Sequence, residues 1–199
     1  MRHIALTGGL ATGKSFVRGV LEALGVLTWD ADAAAHTAVR PGTPSHHAIV
    51  ERFGEGVLDV GVINRQKLAV VVFADATARE DLEAIVHPVV RRARNEWFAD
   101  LSEQEPGFAV SEIPLLFEAG LEGNFDAVVV AACGNEVQVE RAVSRGDLTE
   151  HEARLRINAQ MSIADKVRRV DHVIWTDGSP DETAEQVRAL YGRLEASSR

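Results

Sequence analysis

The 199-residue chain is 46% hydrophobic, sufficient for one sizeable core, yet no stretch approaches the roughly 18 uninterrupted apolar residues of a membrane span. A formal net charge of -9 opposes a phosphate polyanion, so long nucleic acids are not expected partners. The single cysteine, Cys133, rules out a disulfide framework, and its place at the end of the apolar run from Ala127 predicts a buried, inert thiol.

The N-terminus leads straight into an apolar segment rather than a basic and then apolar export signal, which makes a cytoplasmic location the expectation. His3 to Leu6 reads as a strand, and Lys14 to Leu24 as a helix, because Phe16, Val17, Val20, Leu21 and Leu24 recur at helical spacing. Leu27 to Trp29 is the second expected strand. The stretch from Ala33 to Leu101 reads as wholly helical, with loop signals at Arg40 to Pro44 and Gly54 to Gly61 and a long helix from Thr77 to about Leu101. Within that long helix, His87-Pro88 interrupts the pattern, since proline lacks an amide hydrogen and disfavours helix at the preceding residue. A kink there either aims His87 inward or is purely structural.

Three further strands are expected at Phe108 to Ser111, Ala127 to Ala132 and His172 to Trp175, with a last helix opening at Pro180. Strands alternating with helices predict an α/β fold with a doubly wound parallel sheet. The core would comprise residues 1-32, 102-135 and 170-199, with a helical insertion over 33-101 and a mobile helical pair over 136-169.

Gly8-Gly9-Leu10-Ala11-Thr12-Gly13-Lys14-Ser15 satisfies G-x-x-x-x-G-K-[ST] between a strand and a helix, the context in which that pattern is a P-loop. Its glycines permit a tight turn whose successive N–H groups gather phosphate oxygens, reinforced by the positive end of the following helix. Lys14 is the candidate for the β- and γ-phosphates of a nucleoside triphosphate, and the Ser15 hydroxyl the candidate ligand of Mg²⁺. The competing reading, a chance glycine turn beside a surface lysine, fits the flanking strand and helix poorly.

Trp29-Asp30-Ala31-Asp32 falls at the carboxyl end of the second strand, where doubly wound sheets bind ligands. One carboxylate could take a proton from an attacking hydroxyl and the other hold metal or its waters; alternatively Asp30 is a turn residue and Asp32 a helix cap. Glu112, at the end of the third strand, is a candidate for magnesium through water, while Leu115, Leu116 and Phe117 are core or substrate contacts. Arg141 and Arg145 share a helix face, and Arg154 and Arg156 follow in the next helix. They either close over the nucleotide, neutralising charge on the transferred group, or form a solvated face paired with Glu140, Glu150 and Glu152. No spacing among the seven histidines suggests a metal site.

Taken together, these residues resemble the dephospho-coenzyme A kinase family along nearly the whole chain. The resemblance is carried by Leu6-Thr7-Gly8-Gly9, Asp30-Ala31-Asp32, Phe53-Gly54, Arg65 with Leu68 and Phe73, His87-Pro88, Pro114-Leu115-Leu116-Phe117-Glu118, Gln138 with Arg141 and Arg145, Gln160 and Asp171. It implies a nucleoside-monophosphate-kinase-like fold with a helical acceptor region and a lid. It also implies transfer of the γ-phosphoryl of ATP to the ribose 3'-hydroxyl of dephospho-coenzyme A.

By the same resemblance Asp32 is the general base, with Lys14 and Arg141 catalytic. Gly9, Ala11, Thr12, Gly13, Lys14, Ser15, Phe16 and Arg145 would bind ATP, and Asp32, Arg65, His87 and Leu115 the acceptor. Phe16, Asn64, Glu112 and Thr176 depart from the family pattern, which has threonine, aspartate, aspartate and asparagine there. Two other readings stand beside this one: a kinase of another nucleoside or nucleotide, and a nucleotide-dependent switch protein. The second would call for a guanine-specifying N-K-x-D segment, which the sequence lacks.

Overall fold

Strand β6 (Ala127–Ala132) is six consecutive buried residues, the signature of a strand covered on both faces. In the computed structural model, which describes residues 1-101, 107-146 and 148-197 and only the backbone of Phe73, it belongs to a five-stranded sheet. The order is β2 (Thr28–Asp30), β5 (Phe108–Glu112), β1 (Arg2–Gly8), β6 and β7 (His172–Trp175). β1 pairs in parallel with both β5 and β6, and β6 in parallel with β7. The expected core boundary at residue 102 lies outside the described residues.

Helices α1 (Lys14–Ala23) and α9 (Pro180–Ala196) cover one face, where Val17, Leu21, Val187, Leu190 and Leu194 close over Ile4, Leu6, Val129 and Ile174. At about 1.5–3 kcal/mol for each fully buried aliphatic side chain, this layer is a principal source of stability. On the other face Ile163 packs with Val130 and Ala132, its helix α8 (Ile163–Val167) following α6 (Asn135–Ser144) and α7 (Glu150–Asn158). Thr149 and Ser179 open α7 and α9 with reciprocal capping boxes to Glu152 and Glu182.

The chain divides into two compact units, residues 1-29 with 100-199, and residues 30-99. The second unit holds α2 (Ala31–Ala38), α3 (Pro44–Phe53), α4 (Arg65–Ala74) and most of α5 (Ala76–Leu101) around Ile49, Val57, Ile63 and Leu68. It is not wholly helical: β3 (Leu58–Asp59) and β4 (Val62–Ile63) form a small antiparallel hairpin. Its two-residue turn, Val60-Gly61, carries positive φ at both positions, the requirement of a primed hairpin turn. Valine rarely adopts that conformation, so the turn had no recognisable signature. α5 also runs through Pro88 without ending, and His87 is exposed rather than aimed inward.

Candidate functional site

β1 is the sheet's central strand, with β5 on one side and β6 on the other, so the loop after it emerges where the winding direction changes. That loop is the P-loop. Gly13 (φ 83) caps α1 from the left-handed region, and Ala11 adopts φ 56, which costs a residue with a Cβ about 1–2 kcal/mol. Gly8 has no room for a side chain: a Cβ there would sit 2.5 Å from Thr12 Oγ1 and 2.6 Å from the Ala131 carbonyl oxygen.

Side chains from within the loop and from far along the chain fix its peptide planes. Lys166 Nζ, fully buried, donates to the Gly8 carbonyl at 3.1 Å, and Lys14 Nζ donates to the Gly9 carbonyl at 2.7 Å. Thr12 Oγ1 also donates to the Gly9 carbonyl, at 3.1 Å, and the Leu10 N–H donates to Gln160 Oε1 at 3.0 Å. Thr176 Oγ1 lies 2.9 Å from the Thr12 carbonyl oxygen. In a planar trans peptide the N–H points opposite to the preceding C=O. Holding the Gly8 and Thr12 carbonyls against the protein therefore turns the N–H groups of Gly9 and Gly13 the other way. Backbone N–H groups oriented in this way need no reorganisation to meet an anion.

The residue holding Thr12 is itself held. Arg141 donates through Nη1 to Thr176 Oγ1 at 3.1 Å and through Nη2 to the Thr176 carbonyl at 2.5 Å, while the Thr176 N–H donates to the Ala132 carbonyl at 2.8 Å. Arg141 thus reaches the P-loop through the segment after β7. Arg145, at the C-terminal cap of α6, is exposed. Arg154 is engaged by Glu136 at 2.8 Å and Glu150 at 3.0 Å, and its pKa is raised by those hydrogen bonds. This pairing favours the solvated-face reading for Arg154.

Ser15 is exposed in the first turn of α1, and Phe16 is 43% exposed. Glu112 is buried at the end of β5 with a carboxylate oxygen 3.0 Å from Arg18 Nε. Leu115 is 47% exposed, whereas Leu116 and Phe117 are core. Cys133 is buried, and burial pushes its thiol pKa up, which suits an inert side chain and not a nucleophile. A cavity of about 130 Å³ is lined by Gly9, Asn135, Gln138, Gln160, Met161 and Ser162 among others.

In the 30-99 unit, the carboxylate that caps α2 belongs to Asp30, which accepts the N–H groups of Asp32 at 2.8 Å and Ala33 at 3.0 Å. Asp32 is therefore not a cap; it is an exposed side chain in the first turn, immediately after β2. Arg65 contacts His36. Asn64 caps α4 by accepting from Gln66 at 2.9 Å and Lys67 at 3.0 Å, so it does locally what an aspartate would. The residue that sequence reasoning missed is Lys166. It lies in α8 beside Ile163 and Val167, where the apolar spacing marks a helix but nothing marks this lysine as buried.

The family model for dephospho-CoA kinase matches residues 2-182. The dephospho-CoA kinases of Syntrophotalea carbinolica and Geobacter sulfurreducens are each 41% identical to the chain, covering 98% and 97% of it and 92% and 98% of themselves. A Thermus thermophilus protein of known structure is 34% identical with a TM-score of 0.85, each chain covered to 97%. A dephospho-CoA kinase structure from Campylobacter jejuni, 24% identical, shares the fold with a TM-score of 0.73 over 99% of this chain and 98% of its own.

Proposed function

The chain belongs to the dephospho-CoA kinase family, and we propose that it moves the γ-phosphoryl group of ATP to the ribose 3'-hydroxyl of dephospho-coenzyme A, giving coenzyme A and ADP. The observation that carries this reading is the P-loop cradle, whose carbonyls at Gly8, Gly9 and Thr12 are all taken up by protein side chains. Phosphoryl transfer asks the protein mainly for positioning and charge stabilisation, and a fixed cradle supplies both.

In the proposed mechanism the acceptor hydroxyl gives its proton to Asp32 as its oxygen forms a bond to the γ-phosphorus. The bond from that phosphorus to the β,γ-bridging oxygen breaks, and ADP leaves with the electron pair. The exposed carboxylate of Asp32, directly after β2, is compatible with a base that must reach a bound substrate. Lys14 would exchange the Gly9 carbonyl for the β- and γ-phosphate oxygens. Gly9, Ala11, Thr12, Gly13, Ser15 and Phe16 would surround the phosphates. Arg141, held on Thr176, and the exposed Arg145 would contribute positive charge from α6. Arg65, His87 and Leu115 are assigned to the acceptor.

Among the described residues no group of three or more His, Cys, Asp or Glu side chains could hold a metal ion. This fits a magnesium ion that arrives with the nucleotide and takes most of its ligands from phosphate and water. Ser15 is the direct protein ligand we assign, with Glu112 acting through water from its place beside Arg18. Bound magnesium supplies charge neutralisation on the β- and γ-oxygens. Among the described residues no helix is long and apolar enough to cross a membrane, and we place the reaction in the cytoplasm.

The direct test is steady-state ADP release with magnesium-ATP and dephospho-coenzyme A, beside adenosine, AMP, CMP and pantetheine phosphate. Release that depends on dephospho-coenzyme A is the expected result. Release with one of the other acceptors alone would replace the assigned substrate.

A further inference from the structure

Lys166 is a fully buried lysine, and burying an ammonium is costly unless it is paired and hydrogen-bonded. Its partners are specific. Nζ lies 3.0 Å from a carboxylate oxygen of Glu118, 3.1 Å from the Gly8 carbonyl oxygen and 3.4 Å from the Pro114 carbonyl oxygen. An ammonium has three donors, and these are three acceptors. The Pro114 carbonyl also accepts from Thr7 Oγ1 at 3.2 Å, so β1, the P-loop entrance and the Pro114-Leu115 turn meet at this one charge.

Glu118 is committed to the arrangement as well. Its carboxylate accepts from the Met161 N–H at 2.9 Å, which fixes the segment leading into α8, the helix that carries Lys166. Burial pulls the Glu118 pKa up, but hydrogen bonds from its own backbone, Lys166 and Met161 outweigh that and leave it below the ordinary glutamate value. The carboxylate is thus ionised beside the ammonium.

We propose that Lys166 is a positioning residue for ATP, acting through the first peptide of the P-loop. Its bond to the Gly8 carbonyl sets the plane of the Gly8-Gly9 peptide and with it the direction of the Gly9 N–H. Glu118 holds the ammonium in place and cancels its charge. The third contact of the ammonium, to the Pro114 carbonyl, is the longest, and that carbonyl keeps its bond from Thr7 Oγ1 when the ammonium is removed. The inference rests on the P-loop being the ATP site and is independent of the acceptor's identity.

The test separates positioning from mere packing. Replacing both partners, Lys166→Met with Glu118→Gln, leaves no unpaired buried charge, and such paired replacements are commonly tolerated. The double variant is expected to fold with an unchanged circular-dichroism spectrum. Its affinity for a fluorescent ATP analogue should fall by about tenfold, the scale of one charge-assisted hydrogen bond. In turnover assays KM for ATP should rise by a similar factor while KM for dephospho-coenzyme A stays within about twofold. Lys166→Arg, which keeps the charge and the donors, should recover most of the lost affinity. A folded double variant with wild-type ATP affinity would overturn the proposal. So would equal weakening of both substrates, which is the signature of general loosening. Wild-type protein that binds the ATP analogue but ignores dephospho-coenzyme A would instead refute the assigned acceptor and leave Lys166's role standing.

Discussion

The two units hold their candidate functional residues in opposite ways. In the unit formed by 1-29 and 100-199, the P-loop is tied to residues more than a hundred positions away: Gly8 to Lys166, Leu10 to Gln160 and Thr12 to Thr176. In the 30-99 unit the corresponding ties are short. Asp30 caps α2 and Asn64 caps α4, each the helix it directly precedes, Arg65 reaches His36 within the unit, and Asp32 and His87 stand exposed. The lesson is one of division of labour. Groups that stabilise a developing charge work best when rigid, whereas a base and acceptor contacts must meet a substrate that comes and goes.

The sharpest way to break this comparison is Asp32→Asn. It keeps the side-chain shape and removes the proton acceptor, so kcat should fall by roughly 10²–10⁴ while binding of an ATP analogue remains near wild type. Near-normal turnover would remove Asp32 as base. Lys14→Ala acts on the rigid side and should lower kcat/KM for ATP by roughly 10²–10³, with ATP affinity reduced as well. If the two variants gave the same pattern, the assignment of separate roles to Asp32 as base and Lys14 as phosphate ligand would fail.

A smaller effect probes the rigid cradle through Ala11, whose positive φ sits in a buried cluster with Val139, Ala142 and Ala153. Ala11→Gly relieves about 1–2 kcal/mol of strain. It also forfeits about 0.8 kcal/mol of buried methyl and adds roughly 0.5–1 kcal/mol of unfolded-chain freedom, so stability should change by less than about 1 kcal/mol. Ala11→Val adds a branch at the same φ and should cost about 2 kcal/mol or more. Denaturant titration of the two variants distinguishes a conformationally demanding loop from a permissive one.

Much of the rigid unit was legible because its signals are local. The P-loop pattern, the apolar runs at Ala127–Ala132 and His172–Trp175, and the proline that opens α9 at Pro180 each lie within a few consecutive residues. What escaped was long-range or conformationally unusual. Lys166 looks like any helical lysine until its burial is known, because the carbonyls that receive it lie 52 and 158 residues away in sequence. The β3–β4 hairpin was hidden by Val60, a poor residue for the turn it makes. The roles of the two carboxylates before α2 stayed open because Asp30 and Asp32 both satisfy the local capping rule, and only the hydrogen bonds from the N–H groups of Asp32 and Ala33 assign the cap to Asp30.

The mildest test concerns His172 on β7, in the rigid unit. Burial lowers its pKa below the ordinary 6.5, assisted by the charges of Arg193 and Arg2 and opposed by Asp171. The folded protein therefore resists protonating this ring more than the unfolded chain does. Above pH 6.5 both states carry it neutral; as pH falls below that value the unfolded state takes up the proton first, and stability drops until the folded-state pKa is reached. Wild type should thus lose melting temperature between about pH 7.5 and pH 5.5, and His172→Asn should lose measurably less over the same interval. The difference between the two slopes isolates this ring from the other six histidines. Parallel slopes would mean that the β7 edge loosens enough to hydrate the imidazolium, and the rigidity ascribed to this unit would then stop short of its outermost strand.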